Sequence, residues 1–238
     1  MKGIKQFLAG SIALASIGTA TAAEVSGNVA ISSDYRFRGI SQSDTNPAIS
    51  GGFDVAAESG LYAGTWMSSV DFNDGGTSTE WDLYAGFGGN ITEELSYDVN
   101  VFYFYYPSDN ADPEFDYFEY GGSLSYGNGT VGLVYSDDFF GETGTYFYPY
   151  ADYSFALPAE ASLDLHLGLN SFEDSEGEFV AADGDTEDQY LDWSIGVSKS
   201  MFGLDWSVSY VDTDLDDKFI GDDDLADATA VVTVSKSL

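Results

Sequence analysis

The sequence predicts an all-β fold, a transmembrane antiparallel up-and-down β-barrel of about twelve strands. Three observations lead to this prediction. Apolar side chains recur at every second position, as over residues 162–172, where leucine alternates with polar or small residues. This period belongs to strands, because the same spacing would circle a helix. Short and long connections alternate along the chain, and the face opposite the apolar one carries more charge than a dry core tolerates.

Residues 1–22 have the layout of a secretory signal peptide, which is removed on export. Lys2 and Lys5 precede an apolar run over residues 7–17, and small residues follow as far as Ala22. The apolar run is shorter than the roughly 20 residues that a membrane-spanning helix needs. We therefore expect the mature protein to be one outer-membrane barrel domain over residues 23–238.

The alternation can be followed strand by strand from the N-terminus. Val25, Val29 and Ile31 mark the first strand, and the pattern extends it through Tyr35 and Phe37. Further apolar rows mark the fourth strand (Trp81, Leu83, Ala85, Phe87), the ninth (Leu163, Leu165, Leu167, Leu169), the tenth (Leu191, Trp193, Ile195, Val197) and the eleventh (Phe202, Leu204, Trp206, Val208, Tyr210). The predicted strands lie near residues 25–38, 47–57, 60–72, 79–89, 93–106, 115–126, 129–136, 144–157, 159–171, 189–199, 201–212 and 226–238.

The connections between these segments predict how the strands are arranged. Tight turns are expected near residues 58–60, 90–92, 127–128, 158 and 200, whereas long acidic connections include residues 108–114, 173–188 and 213–225. In an up-and-down antiparallel sheet, this alternation puts the tight turns and both termini at one end and the long loops at the other. An even strand number in an exported chain indicates a closed barrel in a bacterial outer membrane.

Parity alone leaves two ways to orient the sheet. A soluble sandwich would bury the apolar face, whereas a transmembrane barrel turns that face to lipid around a hydrated lumen. The barrel is favoured, because aromatic residues edge the apolar face and charged residues crowd the other. The aromatic residues expected to face lipid are Tyr62, Phe72, Trp81, Phe118, Tyr126, Phe155, Trp193, Phe202, Trp206 and Tyr210. The charged residues and the histidine expected to line the lumen are Asp34, Arg36, Arg38, Asp54, Asp71, Glu80, Asp82, Asp98, Glu119, Asp152, Asp164, His166, Asp192 and Asp205.

Composition excludes several classes of partner and site. The formal net charge is -34, with 41 acidic residues against 7 basic ones, so the protein repels nucleic acid. The chain has no cysteine and one histidine, which leaves no disulfide, no cysteine metal site and no histidine cluster. We expect no cofactor and no metal centre.

The first hundred residues resemble a known family. The segments SDYRFRGISQS at residues 33–43, GLYAGTWMSSVDF at residues 60–72 and EWDLYAGFGG at residues 80–89 are similar to the TorF-type family of porin-like proteins, proteobacterial proteins of unknown function. The resemblance implies an outer-membrane β-barrel and a transport role, and it supplies no substrate and no catalytic residue. The chain differs from barrels in general at its last residue, Leu238, where an aromatic residue usually serves as the signal for the barrel assembly machinery.

Arg36 and Arg38 are the only arginines, and strand parity predicts that both point into the lumen. They either create a transverse field across a constriction or pair with Asp34, Asp54 and Glu80 to hold the wall together. On both interpretations the excess of acid favours small polar or cationic solutes, and twelve strands enclose a narrow, hydrated channel. The tyrosines expected to fill the lumen, or to offer a surface to sliding solutes, are Tyr84, Tyr103, Tyr105, Tyr117, Tyr146 and Tyr148.

Two motifs invite other functions. His166 suggests a lipid-modifying enzyme, but Ser162 on the same face is roughly 13 Å away in a strand, too far for a nucleophile and its base. Acidic residues over 212–216 and 222–224 resemble part of a calcium loop, although Asp217 replaces the glycine of the sharp turn. We interpret this region as a solvated loop that could hold divalent cations loosely or bridge them to lipid headgroups.

Three functional classes follow. The favoured one is a porin-like channel for passive diffusion of small polar solutes, which prefers cations because its lumen is acidic. The alternative is a structural or adhesive outer-membrane barrel with a closed lumen and acidic outer loops. A lipid-modifying barrel enzyme is the third, and we expect no enzymatic activity. Outer-membrane lipid and the barrel assembly machinery are the expected partners of each.

Overall fold

The computed structural model describes residues 23–107, 114–173, 179–181, 184–220 and 224–238. The predicted signal peptide, residues 1–22, lies outside the described residues. Among the residues that the structure describes, no helix is long and apolar enough to cross a membrane. Helical structure there is limited to two short turns, Pro158–Glu160 and Asp217–Phe219.

Twelve antiparallel strands close into a single barrel. They are β1 (Glu24–Ser32), β2 (Ala48–Ala56), β3 (Leu61–Ser69), β4 (Thr79–Asn90), β5 (Leu95–Tyr105), β6 (Tyr117–Tyr126), β7 (Gly129–Ser136), β8 (Tyr146–Leu157), β9 (Ala161–Phe172), β10 (Gln189–Met201), β11 (Leu204–Thr213) and β12 (Thr229–Ser237). Each strand pairs with its neighbours in the chain, and β1 closes the barrel by pairing with β12. The predicted up-and-down barrel of twelve strands is confirmed.

The apolar face of each strand points outward. Val25 and Phe53 are 72% and 64% exposed, and the same outer face carries Ile49, Leu83 and Leu167. The carboxylates that alternate with these residues point into the lumen, where several, such as Glu80 and Asp192, are buried. A soluble sandwich would show the reverse arrangement, so the leucines of β9 belong to the outer surface of the barrel.

The two ends of the barrel differ as predicted. The start of β1, the end of β12 and the tight turns lie at one end, which we call the turn end. The turn between β10 and β11 consists of Phe202 and Gly203, whose φ angles of 58° and 75° match the primed turns that suit twisted hairpins. The long loops lie at the opposite end, the loop end. Within this end, Phe179–Val180 pairs with Thr186–Glu187 in a small separate hairpin.

The predicted first strand, residues 25–38, is wrong in its second half. The strand β1 ends at Ser32, and the chain then folds into the lumen, where Arg36–Phe37 pairs with Ile40–Ser41. We call residues 34–43 the plug hairpin. Its turn needs positive φ angles, 49° at Arg38 and 84° at Gly39. The plug hairpin forms because the Asp34 carboxylate accepts hydrogen bonds from within this segment, which closes the loop on itself.

Several side chains consequently lie on faces that parity did not predict. Tyr35 and Phe37 are interior residues of the loop end, because they belong to the plug hairpin and not to a strand. Tyr62 points into the lumen and donates a hydrogen bond to Asp98. The strand β3 ends before Asp71 and Phe72, so Asp71 is exposed on a loop and Phe72 packs inside. On β5 the observed register places Tyr103 and Tyr105 on the outer face, with Phe102 and Phe104 inside.

Candidate functional site

The lumen has two halves with different water access. In the half near the turn end, Asp98, Ser123 and Asp164 keep part of their surface exposed. In the half near the loop end, Glu80, Asp82 and Glu119 are only 2%, 6% and 5% exposed. The plug hairpin occupies this second half, so the least water-accessible layer of the described barrel lies where the hairpin meets the wall.

Arg36 holds the plug hairpin in place and does not reach the barrel wall. Its Nε donates to Asp34 Oδ2 at 2.5 Å, and its Nη1 donates to the carbonyl oxygens of Gly39 at 3.1 Å and Leu225 at 2.5 Å. The Ser41 amide also donates to the Leu225 carbonyl, at 2.8 Å. Arg36 therefore ties the hairpin to the last long loop, next to β12.

Arg38 reaches across the lumen to the opposite wall. Its Nη1 and Nη2 donate to Glu119 Oε1 and Oε2 at 2.6 and 2.8 Å, the bidentate geometry of a strong ion pair. Its Cζ atom lies 4.5 Å from the ring centre of Phe37, 5.0 Å from that of Tyr146 and 4.3 Å from that of Tyr148. Burial lowers the pKa of Arg38, but the Glu119 carboxylate raises it well above its usual range, so the guanidinium is always charged.

Glu80 and Asp82 lie on β4 beside this ion pair. Glu80 accepts hydrogen bonds from Tyr35 at 2.7 Å and from Tyr106 at 2.9 Å. Burial, and then the Glu80 carboxylate, raise the pKa of Tyr35 and of Tyr106 well above the usual range, so both hydroxyls remain neutral donors. Asp82 differs from its neighbours, because its Oδ1 is fully buried and has no hydrogen-bond partner among the described residues.

His166 lies midway along the lumen between two carboxylates. Its Nδ1 is 2.7 Å from Asp152 Oδ1, and its Nε2 is 3.1 Å from Asp192 Oδ1 and 2.7 Å from the Tyr148 hydroxyl. Asp192 also accepts from the Asn170 amide at 2.8 Å. Both ring nitrogens are thus engaged by wall groups, which fixes the orientation of the imidazole.

The carboxylates near the turn end are held by uncharged donors. Asp54 accepts from the Tyr84 hydroxyl at 2.5 Å, and Asp98 accepts from Tyr62 at 2.9 Å. Asp164 accepts from three serine hydroxyls, those of Ser154, Ser162 and Ser198, at 2.6, 3.0 and 2.8 Å. Hydroxyl donors fix the positions of these carboxylates and leave their negative charge uncompensated.

The predicted lumen residues therefore separate into groups. Arg36 pairs with Asp34 as one hypothesis expected, but Asp54 and Glu80 are held by tyrosines, so the predicted pairing of the arginines with them is wrong. Glu119, the partner of Arg38, belonged to the broad set of inward acids and was not distinguished from the rest. The sequence signal for the hairpin that delivers Arg38 is the turn-forming Gly39, followed after Ile40 by a run of polar residues as far as Asn46.

The four principal aromatic residues expected to face lipid lie on the outer surface. Trp81 and Tyr210 are partly exposed near the loop end, and Trp193 shares that level. Trp206 lies near the turn end of β11. The Trp81 Nε1 donates to Thr65 Oγ1 at 2.5 Å, which satisfies its polar atom on an apolar surface.

The acidic loop proposed for calcium shows local bonding. Asp212 accepts from Tyr210, Asp214 accepts from the Leu191 amide, and Asp216 accepts from the Lys218 amide. Asp222 and Asp223, which complete the predicted motif, lie outside the described residues. Among the described residues, no group of three histidines or acids is arranged to hold a metal ion.

Comparisons with known proteins agree on the architecture. Residues 16–238 match the model of a family described as bacterial protein of unknown function, Gcw_chp. A solved structure titled KdgM porin covers 90% of this chain and 98% of its own, with 10% identity and a TM-score of 0.51. A NanC porin structure covers 89% and 98%, with 8% identity and a TM-score of 0.52. No curated protein is similar in sequence. At these identities the likeness shows the fold alone.

Proposed function

We propose, since the chain belongs to the bacterial Gcw_chp family of unknown function and its barrel is porin-like, that it forms an outer-membrane channel for passive diffusion of small polar solutes. The observation that carries the proposal is the charge of the lumen. Near the turn end the lumen presents Asp54, Asp98 and Asp164, held only by uncharged donors. Such a lining raises the local concentration of cations, so the channel prefers them.

The outer membrane is the proposed location. The outward face is apolar and carries aromatic residues near both ends, the pattern of a barrel in contact with lipid. Removal of residues 1–22 during export and insertion by the barrel assembly machinery belong to the same proposal. We also propose that the chain belongs to the TorF-type family. The acidic loops are proposed to bind divalent cations loosely next to lipid headgroups.

The plug hairpin sets the size of the channel. Arg38 and Glu119 meet across the lumen, and the surrounding tyrosines leave little free space. We therefore expect a small conductance with passage along the edge of the hairpin. This same dry layer favours the alternative, a structural barrel with a closed lumen.

Reconstitution of the purified protein in a planar lipid bilayer tests the proposal. We expect discrete conductance steps, and a salt gradient should give a reversal potential of the sign set by cations. Replacing Asp54, Asp98 and Asp164 together by asparagine should remove most of this preference. The matched control replaces Glu93, Glu94 and Glu160, three exposed acids in the tight turns, by glutamine. Absence of conductance would support the closed barrel, and an anion-preferring current would contradict the acidic lumen as the selectivity element.

An enzymatic role has less support, and we propose that the barrel is not a catalyst. Ser162 donates to Asp164 and lies within hydrogen-bonding distance of Ser198, while both nitrogens of His166 face other partners. A histidine engaged in this way has no free nitrogen with which to activate a nucleophile. Hydrolysis of outer-membrane lipid by the purified protein, lost in His166→Ala, would contradict this.

A further inference from the structure

Arg38 is held in the lumen as a binding pocket holds a ligand. The groups around its guanidinium come mainly from the barrel wall: Glu119 from β6, and Tyr146 and Tyr148 from β8. A carboxylate in the plane of a guanidinium, with aromatic rings within about 6 Å of it, is the arrangement that recognises cationic groups. Only Phe37 is supplied by the plug hairpin itself.

The wall at this level carries more negative charge than Arg38 neutralises. Asp82 and Glu80 are close enough for their charges to interact with that of Glu119. Asp82 is only 6% exposed, and its Oδ1 accepts no hydrogen bond from any residue that the structure describes. A buried carboxylate oxygen without a donor is unfavourable, so the described part of this wall has an unused acceptor beside the pocket.

We infer that the wall formed by Glu119, Tyr146, Tyr148 and Asp82 is a binding site for the guanidinium or ammonium group of a cationic solute, and that Arg38 occupies it as a tethered competitor. The inference rests on the proposed channel function and names the class of solute. A solute that binds here displaces the Arg38 side chain and gains the same bidentate carboxylate and the same two wall rings. Asp82 Oδ1 then accepts a hydrogen bond from a donor group of the solute. The Arg38 guanidinium does not supply such a donor.

The tether makes the competition strong. A side chain attached a few residues from its site acts at an effective concentration of the order of millimolar or more. The wild-type protein should therefore bind a free guanidinium compound weakly, and removal of the Arg38 side chain should expose the site. Arg36 keeps the plug hairpin anchored to Leu225 in such a variant, so the change is confined to the pocket.

The test measures binding to full-length protein in detergent micelles by isothermal titration calorimetry. The probes are argininamide and citrullinamide, which differ only in that a urea replaces the guanidinium. We expect Arg38→Ala to bind argininamide at least about tenfold more tightly than the wild type does, because the competitor is gone. The same variant should prefer argininamide to citrullinamide by at least about tenfold, since an ionic hydrogen bond is lost with the urea.

Two further variants assign the binding to this wall. Adding Glu119→Gln to Arg38→Ala should weaken argininamide binding by about tenfold or more, because the bidentate acceptor is removed. Adding Asp205→Asn instead, which neutralises an inward acid near the turn end, should leave it within about twofold, because that acid lies outside the pocket. If Arg38→Ala does not fold, Arg38→Gln removes the charge with a smaller change in volume, and the same comparison applies.

The outcomes separate this inference from the proposed function. Equal binding by wild type and Arg38→Ala, or equal weakening by Glu119→Gln and Asp205→Asn, would overturn the site. A conducting wild-type channel whose Arg38→Ala variant does not bind argininamide would overturn the site and leave the channel standing. Selective binding by a barrel that never conducts would support the site and contradict the channel.

Discussion

Breaking the ion pair between Arg38 and Glu119 by replacing one partner should strongly destabilise the loop end of the barrel. Both side chains are buried, with side-chain exposures of 8% and 6%, and Glu119 has further carboxylates nearby. Removing one partner of a buried pair leaves an uncompensated charge and costs about 3 to 5 kcal/mol. We expect Arg38→Met to be destabilised by that amount, and Glu119→Gln by a similar amount, because it leaves the guanidinium without its partner.

The double variant distinguishes charge from packing. Arg38→Met with Glu119→Gln leaves neither charge unpaired, so most of the loss should be recovered, with a coupling free energy of about 3 kcal/mol. The assay is urea unfolding from phospholipid vesicles, followed by tryptophan fluorescence. Trp66 packs against Tyr35 of the plug hairpin at 5.4 Å between ring centres, so it reports on this end directly. A single-variant loss below about 1 kcal/mol, or strictly additive losses, would refute the buried ion pair as a stabilising contact.

Two other predictions concern the plug hairpin. Burial and the Glu80 carboxylate raise the pKa of Tyr35 and of Tyr106 in the folded protein. Their contribution to the free energy of unfolding is therefore complete below the tyrosine pKa of the unfolded chain, about 10. It is lost as the pH rises through their pKa values in the folded protein. The free energy of unfolding, measured from pH 7 to 11, should therefore fall above about pH 10. It should fall less steeply in the double variant Tyr35→Phe with Tyr106→Phe, and equal slopes would show that these two tyrosines do not cause the loss. Gly39→Ala should lose about 2 kcal/mol or more, because φ is 84° and an added Cβ would overlap the Thr213 side chain. Gly75→Ala is the matched control, since φ is 79° there and the space is open; it should lose only about 1 kcal/mol, and equal losses would show that crowding at Gly39 is unimportant.

The barrel could be predicted from the sequence because its two-residue period is enforced by two different solvents. A leucine at 165 or 167 and a histidine at 166 cannot exchange faces without placing charge outside and apolar groups in the lumen. The tight turns predict the order of the strands, because a short connection lets a strand pair only with its neighbour in the chain. These signals are local, so a single sequence carries them.

The plug hairpin could not be predicted, because its residues continue the alternating pattern beyond the strand. Tyr35 and Phe37 look like further outward residues, and only tertiary contacts with Glu80 and Phe104 show that they lie inside. The pairing of Arg38 with Glu119 joins residues 81 positions apart. Among many inward acids, periodicity does not distinguish the one that an arginine reaches. The prediction that Tyr62 faces lipid is wrong for a related reason, because an aromatic residue suits either side of this wall.

The two arginines have different structural roles. Arg36 acts as a local support, because the described residues that accept its hydrogen bonds lie in the plug hairpin and the last long loop. Arg38 spans the lumen and pairs with Glu119. The acids that we propose attract cations lie nearer the turn end, where hydroxyl groups donate to them. On the proposed channel function, selectivity and pore size depend on separate layers, so replacing Asp164 should change the reversal potential, whereas replacing Arg38 should change the size of the conductance step.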